Sequence, residues 1–204
     1  MKNQNRGFTL IELMVTLAVL AVLITLAVPS FQDYFQKARV RGAADQVTDL
    51  LARARAVAVK SDMPVAVQAK DDSGNWCVGA RQPGNPDAWE PRPDVATPCV
   101  CTTDSSTCMV DGEQMVVLGS DIGAGQRPSV AINGFDFSYS PKLGGISANA
   151  APSKSFLSGT NSSLTVTSTN GRYELQVVVT PLGQSYVCVP DGKPAFFGYR
   201  ACPS

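Results

Sequence analysis

The chain has 204 residues, with 17 Lys/Arg against 17 Asp/Glu and no histidine. Without imidazole there is no His-based acid, base or triad. No serine elbow, phosphate-binding loop or metalloprotease motif stands in its place, so the sequence reads as a non-enzyme that needs no cofactor. Charge is unevenly spread: residues 1–60 hold eight Lys/Arg and four Asp/Glu (net +4), residues 61–204 nine and thirteen (net −4). The larger part is thus mildly acidic, which argues against a dominant polyanion-binding surface.

The chain opens on a short basic stretch, Lys2 and Arg6, then Gly7 and Phe8. From Phe8 to Val28 the only polar side chains are Thr9, Glu12, Thr16 and Thr25. As a helix this run reaches about 30 Å, enough to cross a bilayer's hydrocarbon. It is apolar all round, which suits lipid or a buried bundle rather than a half-exposed surface helix. A secretory signal peptide has an h-region of about 7–15 residues followed by a small-residue cleavage site; here Ala18-Val19-Leu20-Ala21 is buried inside a longer run. A plain membrane anchor gives no reason for Glu12, since an acid at the centre of a membrane helix costs roughly 2.5–3.5 kcal/mol and less near its end.

Gly7-Phe8-Thr9-Leu10-Ile11-Glu12 resembles the class III signal of type IV pilins and type II secretion pseudopilins. The resemblance implies that a prepilin peptidase cuts between Gly7 and Phe8 and methylates the Phe8 amine. Glu12 then becomes the fifth mature residue, and Pro29 matches the family's helix-kinking proline. It implies four regions: a leader at 1–7, a transmembrane and filament-core helix at 8–28, an amphipathic continuation at 29–61 and a periplasmic β-rich domain at 62–204. Two leader positives suit a cytoplasmic N-terminus. In a filament core the Phe8 amine and Glu12 are a buried cation and a buried anion, and pairing them across subunits offsets much of the desolvation of each.

Past Pro29 the apolar residues Val47, Leu50, Leu51, Ala54, Val57 and Ala58 keep i, i+3, i+4, i+7 spacing, so one helix face can pack on a sheet. Gln46, Asp49, Arg53 and Lys60 suit the opposite face, with Asp49 and Arg53 as an i,i+4 pair. Pro29 and Gly42 are weak points of this helix, and Ser61-Asp62-Met63-Pro64 ends it. The cations Lys37, Arg39, Arg41, Arg53 and Arg55 form a solvated face or complement acidic neighbours, in preference to a nucleic-acid or phospholipid patch.

Beyond Pro64 the texture is short runs broken by Gly, Pro, Asn and Asp, the pattern of antiparallel sheets. Strands are expected around Val65–Val67 and Trp76–Val78, joined by a turn at Lys70–Asn75 that lacks the ligand spacing of a calcium loop. Others are expected at Met115–Leu118, Ser129–Ile132, Phe135–Ser140, Ser163–Ser168, Tyr173–Thr180, Tyr186–Val189 and Phe196–Arg200. Residues 81–98 carry Pro83, Pro86, Pro91, Pro93 and Pro98 and, with 102–107, make a long irregular excursion suited to meeting a partner. Gly123-Ala124-Gly125 reads as a turn, and 144–163 as a flexible loop.

All six cysteines, Cys77, Cys99, Cys101, Cys108, Cys188 and Cys202, follow the apolar run. An even count in a segment expected to face the periplasm points to disulfides. Pairing Cys188 with Cys202 closes a C-terminal loop, and the other four staple the 77–108 region in an order left open. Zinc is the weaker reading, because Cys99-Val100-Cys101 has the wrong spacing and no histidine is present.

Phe137-Ser138-Tyr139-Ser140-Pro141-Lys142-Leu143-Gly144 and Thr180-Pro181-Leu182-Gly183-Gln184-Ser185-Tyr186-Val187-Cys188 are similar to segments of the H-type pseudopilin and FimT/FimU minor-pilin group. That resemblance implies an α+β fold, a long N-terminal helix packed on an antiparallel two-sheet β domain that the disulfides brace. It also implies a structural minor pilin in the initiating or tip complex of a type IV pilus, with a type II secretion tip pseudopilin as the near alternative. The partners are then prepilin peptidase, other minor pilins, the major pilin and the inner membrane. The location is the inner membrane before assembly, with the domain periplasmic, and the pilus fibre afterwards. Some FimT-like members are DNA receptors with a G-R-x-R motif. The matching tetrad here, Gly183-Gln184-Ser185-Tyr186, has neither arginine, and Gly171-Arg172-Tyr173-Glu174 keeps only one. Glutamine and tyrosine cannot supply the charge and fork that bind phosphate. A DNA-binding competence pilin is therefore the third reading, with direct nucleic-acid binding unlikely and Arg172 a sheet-surface residue.

Overall fold

The computed structural model describes residues 8–82, 98–122, 127–148 and 161–203, with the backbone alone for 26–30, 147 and 148. The expected leader with Gly7, the stretch from Pro83 to Pro93, Gly123-Ala124-Gly125 and most of the 144–163 loop lie outside the described residues.

One helix, α1 (Leu10–Ser61, 52 residues), begins the fold. Thr9 caps it: its backbone is extended and its hydroxyl accepts the Glu12 N–H at 3.3 Å, which satisfies one of the orphan donors of the first turn. The helix continues through position 29; the kink expected at Pro29 falls where side chains are not described and stays an expectation. At the far end Asp62 takes the left-handed conformation (φ 53°), a stop that Asp tolerates, and Pro64 follows. Val40, Ala43, Ala44, Val47, Leu50, Leu51, Ala54 and Ala58 form a buried stripe on this helix. Among the described residues no helix is long and apolar enough to cross a membrane; the described side chains of the apolar run stop at Thr25, short of the expected 8–28.

The strands are β1 (Val65–Asp72), β2 (Asn75–Arg81), β3 (Met109–Val110), β4 (Glu113–Gln114), β5 (Val116–Leu118) and β6 (Ser129–Asn133). They continue with β7 (Asp136–Tyr139), β8 (Ile146–Ala148), β9 (Ser162–Thr167), β10 (Glu174–Val179), β11 (Ser185–Val189) and β12 (Arg200–Ala201). One sheet runs β5-β2-β1-β7-β8 and a second β12-β11-β10-β9-β6, with β3 and β4 a small separate ribbon. Every pair is antiparallel except β11 with β12. α1 packs on strands of both sheets.

The turn expected at 70–75 is a two-residue hairpin loop. Ser73 (φ 53°) and Gly74 (φ 87°) both take positive φ, the conformation that follows the strand twist, and Asp71 Oδ1 accepts the Gly74 N–H at 3.0 Å. Inside, Phe135, Phe137 and Tyr139 stack edge to face with centroids 5.3 and 5.4 Å apart. Trp76 donates its indole N–H to the Pro128 carbonyl at 2.7 Å.

Three disulfides close the domain: Cys77–Cys101, Cys99–Cys108 and Cys188–Cys202. The first two lie together in a buried cluster over Gly79. A Cβ at Gly79 would come within 2.5 Å of Cys99 Sγ and 2.7 Å of Cys108 Sγ, so only glycine fits beneath them. A covalent loop of the size closed by Cys188–Cys202 contributes about 3 kcal/mol through the unfolded state.

Two sequence expectations need correction. Phe196–Arg200 is not a strand: Tyr199 N–H bonds to Phe196 O at 3.1 Å and Gly198 has φ 91°, so the segment is a turn and β12 spans only Arg200–Ala201. Phe196 and Tyr199 turn inward against Tyr173 and one another instead. The stretch 144–163 is not all loop, because β8 pairs with β7 through Tyr139↔Ile146.

Tyr139 is fully buried, and among the described residues its hydroxyl has no hydrogen-bond partner. Burial pushes this phenol far above its ordinary range, with the Arg55 charge opposing in part. The folded state therefore holds the proton more tightly than the unfolded chain does. The associated stability is intact below about pH 10 and is lost as pH rises beyond it. Tyr139→Phe is expected to leave the melting temperature unchanged or higher at neutral pH and to blunt the alkaline loss. Thermal melts of both chains across a pH series check this.

Candidate assembly site

Phe8 stands 84% exposed just ahead of the Thr9 cap. Glu12 lies in the first turn of α1, and among the described residues its carboxylate has no ion-pair partner within the chain. Beyond it, the large apolar side chains from Leu10 to Ile24 are 51–77% exposed. An apolar rod of this kind requires lipid or other helices around it.

The next part of α1 is clamped to the domain by a polar seam. Arg172 Nη1 lies 3.4 Å from Asp33 Oδ2, and the Thr169 hydroxyl donates to Gln36 Oε1 at 2.9 Å. The Lys37 ammonium sits 4.9 Å over the Tyr173 ring and the Arg41 guanidinium 5.8 Å over Tyr199. Tyr199 donates to Asp45 Oδ1 at 2.9 Å; burial, then the bond to and charge of Asp45, raise its pKa against the pull of Arg41. These exposed contacts are individually weak, yet together they join helix and domain. Arg53 pairs with Asp49 at 3.0 Å within α1 itself, as the i,i+4 spacing predicts.

Arg172 is thus not a plain sheet-surface residue. It lies in the turn between β9 and β10 and reaches α1, because the seam places Asp33 opposite it. Of the receptor-like tetrad, Gly183 forms the β10–β11 turn, Gln184 is exposed, and Ser185 and Tyr186 begin β11. Among the described residues no cluster of His, Cys, Asp or Glu is arranged to hold a metal.

One junction was not foreseen. Arg55 reaches out of α1 to two carbonyls, Gly144 O through Nε (3.1 Å) and Leu182 O through Nη2 (3.2 Å). It so ties the β7–β8 turn to the β10–β11 turn, and Ile146 N–H bonds to Pro181 O at 3.0 Å beside it. The signal available in the sequence was the similarity of Ser140-Pro141-Lys142-Leu143-Gly144 to Thr180-Pro181-Leu182-Gly183, two Pro–Gly turns. Their meeting on one arginine needed the fold.

Known protein families match both parts of the chain. Residues 2–28 match a family model described as the prokaryotic N-terminal methylation motif. Residues 43–183 match the model described as type II transport protein GspH. A fimbrial protein of Moraxella nonliquefaciens is 47% identical over 38 residues, 19% of this chain and 25% of that protein. A fimbrial protein of Pseudomonas aeruginosa is 44% identical over 50 residues, 24% of this chain and 32% of that protein. The chain thus spans about a quarter to a third of the length of the curated relatives it matches. Among solved structures, the type IV minor pilin FimU of Pseudomonas aeruginosa superposes with a TM-score of 0.45 at 10% identity, covering 76% of this chain and 91% of FimU.

Proposed function

The chain belongs to the GspH family, and on that premise we propose that it is a structural minor pilin of a type IV pilus, seated in the initiating or tip complex. The observation that carries the reading is the junction of two parts: an N-terminal methylation motif leading an exposed apolar helix, and a disulfide-braced β domain welded to the same helix. Prepilin peptidase removes residues 1–7 and methylates the Phe8 amine. The precursor waits in the inner membrane with its domain in the periplasm. The helix then docks among those of other minor pilins and the major pilin, Glu12 setting axial register against a neighbour's Phe8 amine.

A second reading, a tip pseudopilin of a type II secretion system, is favoured by the description of the family model over 43–183. Direct DNA binding is disfavoured, since Arg172 is engaged by Asp33 and Gln184 and Tyr186 replace the arginines of a receptor motif. The test is the abundance of the full chain in sheared surface fibres, with and without the prepilin peptidase. The chain is expected in fibres only when the peptidase is present. Equal amounts in both strains, or none in either, would overturn the proposal.

A further inference from the structure

A groove of about 880 Å³ runs between the outer face of α1 and the two Pro–Gly turns. Its helix wall is Ala52, Ala56 and Val59, its far wall Lys142 and Leu143, and Arg55 lies at its base. We infer that this groove is the docking site for an acidic segment with apolar side chains, carried by a different subunit. The inference rests on the reading of this chain as one component of a multi-subunit fibre.

Charge selects the occupant. The lining holds two cations, Arg55 and Lys142, and no carboxylate, although residues 61–204 as a whole carry nine Lys/Arg against thirteen Asp/Glu. A basic groove in an acidic domain matches an acidic partner. A guanidinium has five N–H donors, and Arg55 gives one from Nε and one from Nη2 to the carbonyls of the turns. Its remaining donors are available to a carboxylate held beside Lys142.

Shape and apolar surface select the same kind of occupant. Leu143, 74% exposed, and Val59, 51% exposed, line the groove, and Leu182, 64% exposed, adjoins the lining residue Gly183. A single exposed leucine means little, but Leu143 and Val59 face one groove, and the two leucines sit on turns already locked together. Apolar side chains held in place before binding cost little ordering entropy when a partner covers them. Ala52 and Ala56 stand four residues apart on α1 and let another backbone approach closely.

Other occupants fit worse. Val59 lies 31 residues beyond Val28, about 46 Å along the helix, too far from the apolar run for a bilayer to cover it. Residues 29–61 carry six Lys/Arg and three Asp, so the α1 of a second copy would bring like charge to Arg55 and Lys142. Two cations among exposed leucines make a poor track for a phosphate backbone.

The experiment uses the full chain in detergent micelles and three labelled probes. Two are short peptides with the same leucine pattern, one carrying glutamates and the other lysines; the third is a short DNA duplex. Fluorescence anisotropy across a salt series is expected to show the glutamate peptide binding at least roughly tenfold tighter than the lysine peptide, and more weakly as salt rises. Lys142→Glu and Leu143→Glu, both at exposed positions, are each expected to weaken it by about tenfold while leaving the melting temperature unchanged. Equal binding of the two peptides, no binding of either, or an unchanged affinity in Lys142→Glu would overturn the inference. Duplex binding lost on the same substitution would overturn it in favour of nucleic acid. Fibre incorporation is not part of this readout, so the failure of one reading is separable from that of the other.

Discussion

Gly183→Ala is expected to destabilise the domain by about 2–5 kcal/mol, the sum of two costs of known size. The first is conformational. Gly183 sits at φ 74°, in the left-handed region where a side chain costs roughly 1–2 kcal/mol. The second is steric. A Cβ built there falls far inside the van der Waals contact distance of the Gly144 carbonyl oxygen. That atom is backbone, so no rotamer change can relieve the clash.

Nor can the Gly144 carbonyl easily withdraw. It accepts from Arg55, and a Cβ at Gly144 itself would meet Arg55 Nε at 2.9 Å. Forcing extra volume into such packing typically costs about 1–3 kcal/mol. Gly171→Ala is the control. Its φ is 70°, and nothing lies within 4 Å of the added Cβ, so it carries the conformational cost alone, about 1–2 kcal/mol. Denaturant melts of the two variants give the difference. Equal losses would mean that the turns are not locked to one another.

How much of this was legible in the sequence depends on the range of the interactions. The buried stripe of α1 was readable because helical spacing is local: Val47, Leu50, Leu51, Ala54 and Ala58 are all buried, while Gln46, Asp49, Arg53 and Lys60 are exposed. The turn within 70–75 was readable for the same reason, since a run of Asp, Ser, Gly and Asn carries its own backbone preference. Cys188 and Cys202 lie 14 residues apart and at a distance in sequence from the other four, so closing one C-terminal loop was readable. The order among Cys77, Cys99, Cys101 and Cys108 was not readable, because Cys99 and Cys101 are two residues apart and either can reach either partner until Gly79 and the strands place them.

The same limit hid β8, whose three residues sit in a Gly/Ser/Ala-rich stretch and owe their pairing to Tyr139 and its neighbours on β7. In the segment Phe196–Arg200, aromatic content suggests a strand, but Gly198 and the packing of Phe196 on Tyr173 impose a turn. Arg55 and Arg172 looked like ordinary helix-face and sheet-face cations. Their partners lie 89 and 139 residues away, beyond any pattern of local spacing.

Glu12→Ala is expected to abolish entry into the fibre while leaving the chain folded and processed. Two roles for Glu12 differ in size. As an acid in the first turn of α1 it favours the helix dipole by about 0.3–1 kcal/mol. That term is local, and α1 has a Thr9 cap and a long packed segment to hold it. As the buried partner of a neighbour's Phe8 amine it is worth far more, because removing one member of such a pair leaves an uncompensated buried charge at about 3–5 kcal/mol. At roughly 1.4 kcal/mol per tenfold, that is a loss of a hundredfold or more in incorporation. Glu12→Gln keeps side-chain volume and removes the charge, so an equal loss in that variant assigns the effect to charge rather than to packing.

The direct measurement is the mass and amount of the fibre-associated chain, wild type against Glu12→Ala, in sheared fractions normalised to membrane content. The wild-type chain is expected to begin at N-methylated Phe8 and to be plentiful in fibres. The variant is expected to be cut and methylated in the same way but retained in the membrane. A wild-type N-terminus other than Phe8, or equal incorporation of the variant, would contradict the proposed function.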